Sequence, residues 1–297
     1  MFVVSQELDK DVISILLKLV SRNDEVFTSV ADFLATHLDG FMQRANDDIT
    51  KSNISFIINT IINFSCGDKN INRNWVQQAA VAGFIEKNNQ FKCESFVPDY
   101  IQKCVKFLIE TSISPHESLS KKAREAASSF VGLHNIDYIL STLLINVDLF
   151  NENAPYKVIL LLNELYEKVP SPLYYDFIKI FDEIVNNSNS KPLISEFLFF
   201  LSHFDSSAFP HRYEKLCLDL IQHYYFSFTQ ISLNVTSGLG VKDVPSLLQN
   251  VTTDIVANPS LNPSILLEPL HKCFKFLLKM TQPPINLVIS LLPLFPY

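Results

Sequence analysis

Apolar residues recur along most of the chain at i, i+3, i+4, i+7 and i+8, the spacing that gathers them on one face of an α-helix. In VPDYIQKCVKFLIE, Val97 to Glu110, the stripe is Ile101, Cys104, Val105, Leu108 and Ile109, while Lys103, Lys106 and Glu110 fall largely outside it. The same spacing runs through Val158, Leu161, Leu162, Leu165 and Val169, and again through Tyr174, Phe177, Ile178, Phe181 and Val185. None of these segments alternates with the period of two that a half-buried strand needs. The pattern predicts about fourteen helices, over roughly 7–21, 24–43, 47–65, 73–88, 98–112, 115–132, 136–149, 155–169, 172–187, 192–204, 210–230, 244–257, 263–280 and 284–294.

The punctuation between these segments is also helical in kind. Ser114 to Glu117, SPHE, offers a capping serine, a proline at the first helical position and a glutamate three residues after the cap. Ser171-Pro172, Asn262-Pro263 and Gln282-Pro283-Pro284 read as similar starts, so prolines here begin helices more than they break them. The looser stretches are Cys66–Arg73, Lys87–Phe96 and Ser232–Val241. The last, 232–241, holds Gly238 and Gly240 and is the candidate hinge or longer surface loop.

One stretch has an echo. Setting Lys103-Cys104 on Lys272-Cys273 matches Lys106, Phe107 and Leu108 to Lys275, Phe276 and Leu277, with Ile101 and Ile109 opposite Leu270 and Leu278. The offset of 169 (272 − 103) is four units of about 42 residues, the spacing of two-helix solenoid repeats. Fourteen helices paired antiparallel give about seven such units. The rival all-α arrangement is a compact orthogonal bundle.

Composition narrows the class. With 47% apolar residues the chain can bury a real core. Six glycines in 297 residues are too few for the positive-φ turns and tight crossovers of sandwiches, barrels or doubly wound sheets. A net charge of −7 disfavours a broad nucleic-acid surface and favours protein partners. The first residues, MFVVSQELDKD, lack the basic region of a secretory signal. No apolar run approaches the ~20 residues that a spanning helix needs, so membrane insertion is not expected. Cys66, Cys93, Cys104, Cys217 and Cys273 form no CxxC pair and sit mostly among apolar neighbours, which reads as packed, reduced thiols in an intracellular protein, cytoplasmic or nuclear.

The search for chemistry returns little. GxGxxG, GxxxxGK[ST], HExxH and GxSxG are all missing, so the chain carries no signature for a dinucleotide, phosphate, zinc or acyl-transfer site, and no cofactor is expected. His203, His211 and His223 with Cys217 lack the convergent spacing of metal ligands. Asp47-Asp48 and Asp182-Glu183 are adjacent and so diverge on a helix. The basic run Lys121, Lys122, Ala123, Arg124 reads as a solvated helix face. Its functional reading is a docking patch in which Lys121, Lys122 and Arg124 are joined by Lys103 and Lys106 to take an acidic partner peptide. Trp75, the sole tryptophan, reads first as core. Within FLFFLSHF, Phe197 to Phe204, the FLFF stretch is apolar all round and predicts a buried helix. In HYYFSF, His223 to Phe228, consecutive aromatics cannot share one face, which makes Tyr224 and Tyr225 candidates for an exposed interaction surface.

The final segment INLVISLLPLFPY is almost entirely apolar, whereas a terminal repeat needs a polar outer face. Another chain or further repeats are expected to cover that end. The amphipathic pairs, together with VPDYIQKCVKFLIE against LEPLHKCFKFLLK, make the chain resemble the HEAT/armadillo-like class of α-solenoids over nearly its whole length. The resemblance implies an all-α, right-handed α-solenoid, one repeat domain over 1–297 or a segment of a longer one, that binds other proteins along an extended surface. The first expectation is therefore a non-enzymatic scaffold or adaptor. Alternatives are a segment of a nuclear-transport receptor of the importin-β type, and an all-α enzyme whose site carries no recognisable motif.

Overall fold

A computed structural model of the chain describes residues 24–44, 48–66, 74–88, 93, 97, 99–131, 136–151, 154–204, 213, 216, 217, 219, 220, 223 and 264–279. The described residues form an all-α protein, with helices α1 (Asp24–Arg44), α2 (Asp48–Cys66), α3 (Trp75–Lys87), α4 (Tyr100–Ser112) and α5 (Glu117–Phe130). They are followed by α6 (Ile136–Asn146), α7 (Ala154–Tyr166), α8 (Tyr174–Asn187), α9 (Lys191–Leu201) and α10 (Ser264–Lys279). Each falls within about three residues of a segment predicted from periodicity. The expected helices over 7–21, 244–257 and 284–294, the loop at 232–241 and the apolar final segment lie outside the described residues. Of 210–230, six positions are described and all are helical. No described helix is long and apolar enough to cross a membrane.

Burial follows the stripes. In α4, Cys104, Val105, Leu108 and Ile109 are buried while Lys106 and Glu110 are exposed; in α7, Val158, Leu161, Leu162 and Leu165 are fully buried. Of the FLFF stretch predicted to be apolar all round, Phe197, Leu198 and Phe200 are buried and Phe199 is half-buried, and the rest of α9 is buried from Leu193 to Glu196 and at Leu201. Cys93, Cys104, Cys217 and Cys273 are buried and form no disulfide with one another.

One local expectation fails for a physical reason. The helix after SPHE begins at Glu117 with His116 as its cap residue, and the Ser114 hydroxyl accepts from the His116 N–H at 3.3 Å instead of closing a capping box. The Glu117 carboxylate is instead drawn to the Lys157 ammonium on α7. Prolines do begin helices, Pro155 in the first turn of α7 and Pro192 in that of α9, and Pro269 lies inside α10 without ending it, where it has no N–H to donate to the carbonyl four residues earlier.

The chain divides into two compact units, Met1–Tyr174 and Tyr175–Tyr297. In the first, α1, α3, α5 and α7 pack side by side in chain order, and α2, α4 and α6 do the same in a second row. The rows meet chiefly through α4 against α5. These two run antiparallel, since Tyr100 at the start of α4 lies 6.4 Å from Phe130 at the end of α5. Within the first row neighbours are parallel. Arg124 bonds Glu164 and Glu117 bonds Lys157, each pair 40 residues apart, while Glu86 and Lys122 pair at 36. From α1 to α3 the separations are 53 and 55.

In the second unit an aromatic column runs from Phe181 on α8 to Phe197 on α9 (6.1 Å), to Tyr213 (5.9 Å) and to Phe276 on α10 (6.1 Å). Burying such rings stabilises by roughly 2–3 kcal/mol each. The echoed segments, α4 and α10, place the shared residues alike. Cys104 and Cys273 are buried, Phe107 and Phe276 are buried, and Lys106 and Lys275 are exposed. They part at the last match, where Ile109 is 2% exposed and Leu278 51%.

Candidate protein-interaction groove

Helix α3, WVQQAAVAGFIEK, is apolar on two sides. One side packs inward through Val81, Ala82, Phe84 and Ile85. The other carries Val76, Ala79, Ala80 and Gly83 at i, i+3, i+4 and i+7, a second stripe that the helical period turns away from the first. Asn74 fixes where this helix starts: its Oδ1 accepts from the Val76 N–H at 3.0 Å while its amide donates to Asp24 on α1. Gln77, one turn on, donates to the other Asp24 oxygen at 2.8 Å. The two helices are thereby held in register.

Because the outer stripe is made of small side chains, α3 is recessed between its neighbours. The result is an open groove of about 570 Å³ floored by those residues, with Thr28, Ser29 and Asp32 of α1 on one wall and Ser118 and Lys122 of α5 on the other. Trp75 stands at one end, 39% exposed, its ring stacked on His116 at 5.8 Å and 20°. At the other end Lys87 pairs with Asp32. Lys122 reaches across to Glu86 at 2.5 Å, and a Cβ added at Gly83 would meet its Cε at 3.6 Å. The expectation that Trp75 is core is corrected: its position at the first residue of α3 leaves the ring over the groove.

The residues predicted for docking separate. Lys122 lines the groove and Lys121, beside it, is exposed. Lys103 and Lys106 belong to α4 in the other row, half-buried and exposed respectively. Tyr224 and Tyr225 lie outside the described residues. Arg124 is 6% exposed and turned inward, with Nε donating to Glu164 at 3.0 Å and Nη1 to the Ser120 hydroxyl at 2.8 Å. Ser120 in turn donates to the Ser112 carbonyl at 2.5 Å, so one guanidinium ties the end of α4 to α5 and α7. Burial raises the Glu164 carboxyl above its ordinary range, against the pull of Arg124. The hydrogen bond from Lys157 holds Glu117 below it, against a smaller effect of burial.

In the second unit Lys272 is set between Glu196, to which it bonds, and Glu268 at 2.9 Å, with its ammonium 5.9 Å from the Phe199 ring. Burial alone would lower this lysine; the two carboxylates outweigh it and hold the group above its ordinary value. The phenol of Tyr100, buried beside Cys104 and Cys93, is pushed well up, first by burial and then by those thiols. Among the described residues no three His, Cys, Asp or Glu side chains gather as metal ligands would.

The groove went unread in the sequence because its signal is an excess rather than a motif: α3 has more apolar residues than one buried face can use. No protein-family model, curated protein or solved structure matches the chain.

Proposed function

We propose that the chain is a helical-repeat protein of the α-solenoid kind and acts as a non-enzymatic scaffold that binds other proteins. Parallel stacking of α3, α5 and α7 through pairs 36 to 40 residues apart supports the repeat reading, because nearest-neighbour stacking of two-helix units places equivalent residues one repeat apart. The same interval is close to the quarter of the 169-residue echo. Stability then comes from contacts between adjacent units, and the outer face of a row remains free for partners.

The observation that carries the binding role is the groove itself. It combines an apolar floor, an exposed tryptophan and a charged rim, the anatomy of a protein-recognition surface. Site-directed photocross-linking tests it. A benzophenone side chain at Ala80, on the groove floor, is expected to give discrete protein adducts in cells that one at Lys106 on α4 does not. Identical adduct patterns from both positions, or none from Ala80, refute the assignment.

A further inference from the structure

We propose that the exposed end of α10 is a second docking surface, one that takes an acidic segment of a partner protein in which two carboxylates flank an apolar side chain. It lies outside the groove, and its assignment does not rest on the groove's. Lys275, Leu278 and Lys279 share the side of α10 that faces away from the buried Cys273 and Phe276, and all three are exposed. Lys272 borders the same side and is matched by Glu196 and Glu268. The other two lysines are not matched. No Asp or Glu stands three or four positions from either in the sequence, and neither forms an ion pair with a described residue. The Lys275 ammonium lies 5.1 Å from the centre of the Phe199 ring, a contact that places the charge without cancelling it. His271, one turn back, feels that charge: partial burial first, and then Lys275 and Lys272, hold it below its ordinary value.

The echo between α4 and α10 supplies an internal comparison. One turn after Lys106, α4 sets Glu110, and Ile109 beside it is 2% exposed; at the matching positions α10 sets Lys279 and a Leu278 that is 51% exposed. Packing keeps the buried cysteine and phenylalanine alike in both helices, but it asks neither for the change of sign nor for a leucine left in water. A ligand that brings acid, apolar group and acid together accounts for both. Its carboxylates meet two ammonium groups about 6 Å apart along the helix axis, and its apolar group covers Leu278 and thins the water around the ion pairs. A lipid surface fits less well, because Cys273 and Phe276 are buried within the unit and only Leu278 is left to enter it. A nucleic-acid backbone would leave Leu278 uncovered and bring dense negative charge to a chain of net charge −7.

The test is selection of random phage-displayed peptides of about 12 residues on the full chain, long enough to reach from His271 to Lys279 in helical or extended form. Peptides that still bind the double variant Lys275→Gln with Lys279→Gln are removed, and circular dichroism shows that each variant is folded. The recovered peptides are expected to carry Asp or Glu on both sides of an apolar residue. Made as fluorescent peptides, they should bind the double variant about tenfold more weakly, Leu278→Ser several-fold more weakly, and Lys106→Gln as well as the wild type. Oligothymidylate and phosphatidylserine vesicles serve as the rival anions and are expected to bind this face more weakly than the peptides. Recovery of uncharged or basic peptides, or of none that the double variant loses, overturns the inference. So does indifference of the acidic peptides to Leu278→Ser, or tighter binding of either rival anion that the double variant abolishes. Cross-linking from Ala80 bears on the groove alone, so either surface can fail without the other.

Discussion

Arg124 and Glu164 are 40 residues apart in sequence and 3.0 Å apart in space, the guanidinium 7% exposed and the carboxylate 36%. A basic side chain from a run that reads as surface is thus turned into the junction of α5 with α7. Arg124→Ala strips Glu164 and Ser120 of their donor together and is expected to cost about 2–3 kcal/mol, below the 3–5 of a fully buried pair because Glu164 keeps part of its surface in water. Lys121→Ala, from the same run but exposed, should change stability by no more than roughly 0.5 kcal/mol. Urea unfolding of the two variants checks the contrast; equal effects would place Arg124 on the solvated face after all.

The two carboxylates of this cluster respond to pH with opposite signs. Glu117 is held down by Lys157, so its folded value lies below 4.5; it contributes stability above that pH, and the contribution is lost as pH falls through the folded value. Glu164 is raised by burial, so the folded state holds its proton more tightly; its contribution favours folding at low pH and fades as pH rises from 4.5 through the folded value. Glu117→Gln is therefore expected to lose less stability than the wild type between about pH 5 and pH 3, and Glu164→Gln to lose more. Urea titrations across that range give the slopes. A shift of both variants in the same direction would contradict the assignment.

Much of the fold was legible because period and punctuation are local. The α4 stripe and the buried α9 follow from residues a few positions apart, and the described helices bear them out. Arg124 was not legible because Lys121, Lys122 and Arg124 differ only in angle around α5, and the partner that decides the angle, Glu164, lies on α7. Ser114 failed as a cap for a related reason: Glu117, needed to close the box, finds a lysine 40 residues away. The groove required knowing which helices flank α3, since Ala79, Ala80 and Gly83 look like ordinary core until α1 and α5 are seen to leave them open.

Gly83 sits in the interior of α3 with ordinary helical neighbours. Glycine there is about 1 kcal/mol less favourable than alanine, and an added Cβ would meet the Lys122 Cε at 3.6 Å, an ordinary contact. Gly83→Ala is expected to stabilise the chain by roughly 0.5–1 kcal/mol and raise the melting temperature by about 2–4 °C. Calorimetry measures it, and a fall in melting temperature would mean that the groove floor needs the bare backbone.

Lys272 and Glu196 form the most enclosed ion pair among the described residues, with side chains 14% and 9% exposed. A buried pair gains little over an apolar pair of the same shape, but removal of one member strands the other. Lys272→Met is accordingly expected to cost about 3 kcal/mol, leaving the buried Glu196 without that cation, while Lys272→Met with Glu196→Leu should recover most of that loss. The lysine's raised value adds a second handle. Its contribution is present below pH 10.5 and is lost as pH rises through the folded value, so the wild type should weaken at alkaline pH where the double variant does not. A double-mutant cycle by chemical denaturation decides the point: a coupling energy near zero would show that Glu268, 2.9 Å away on α10 itself, rather than Glu196 on α9, is the partner that matters to Lys272.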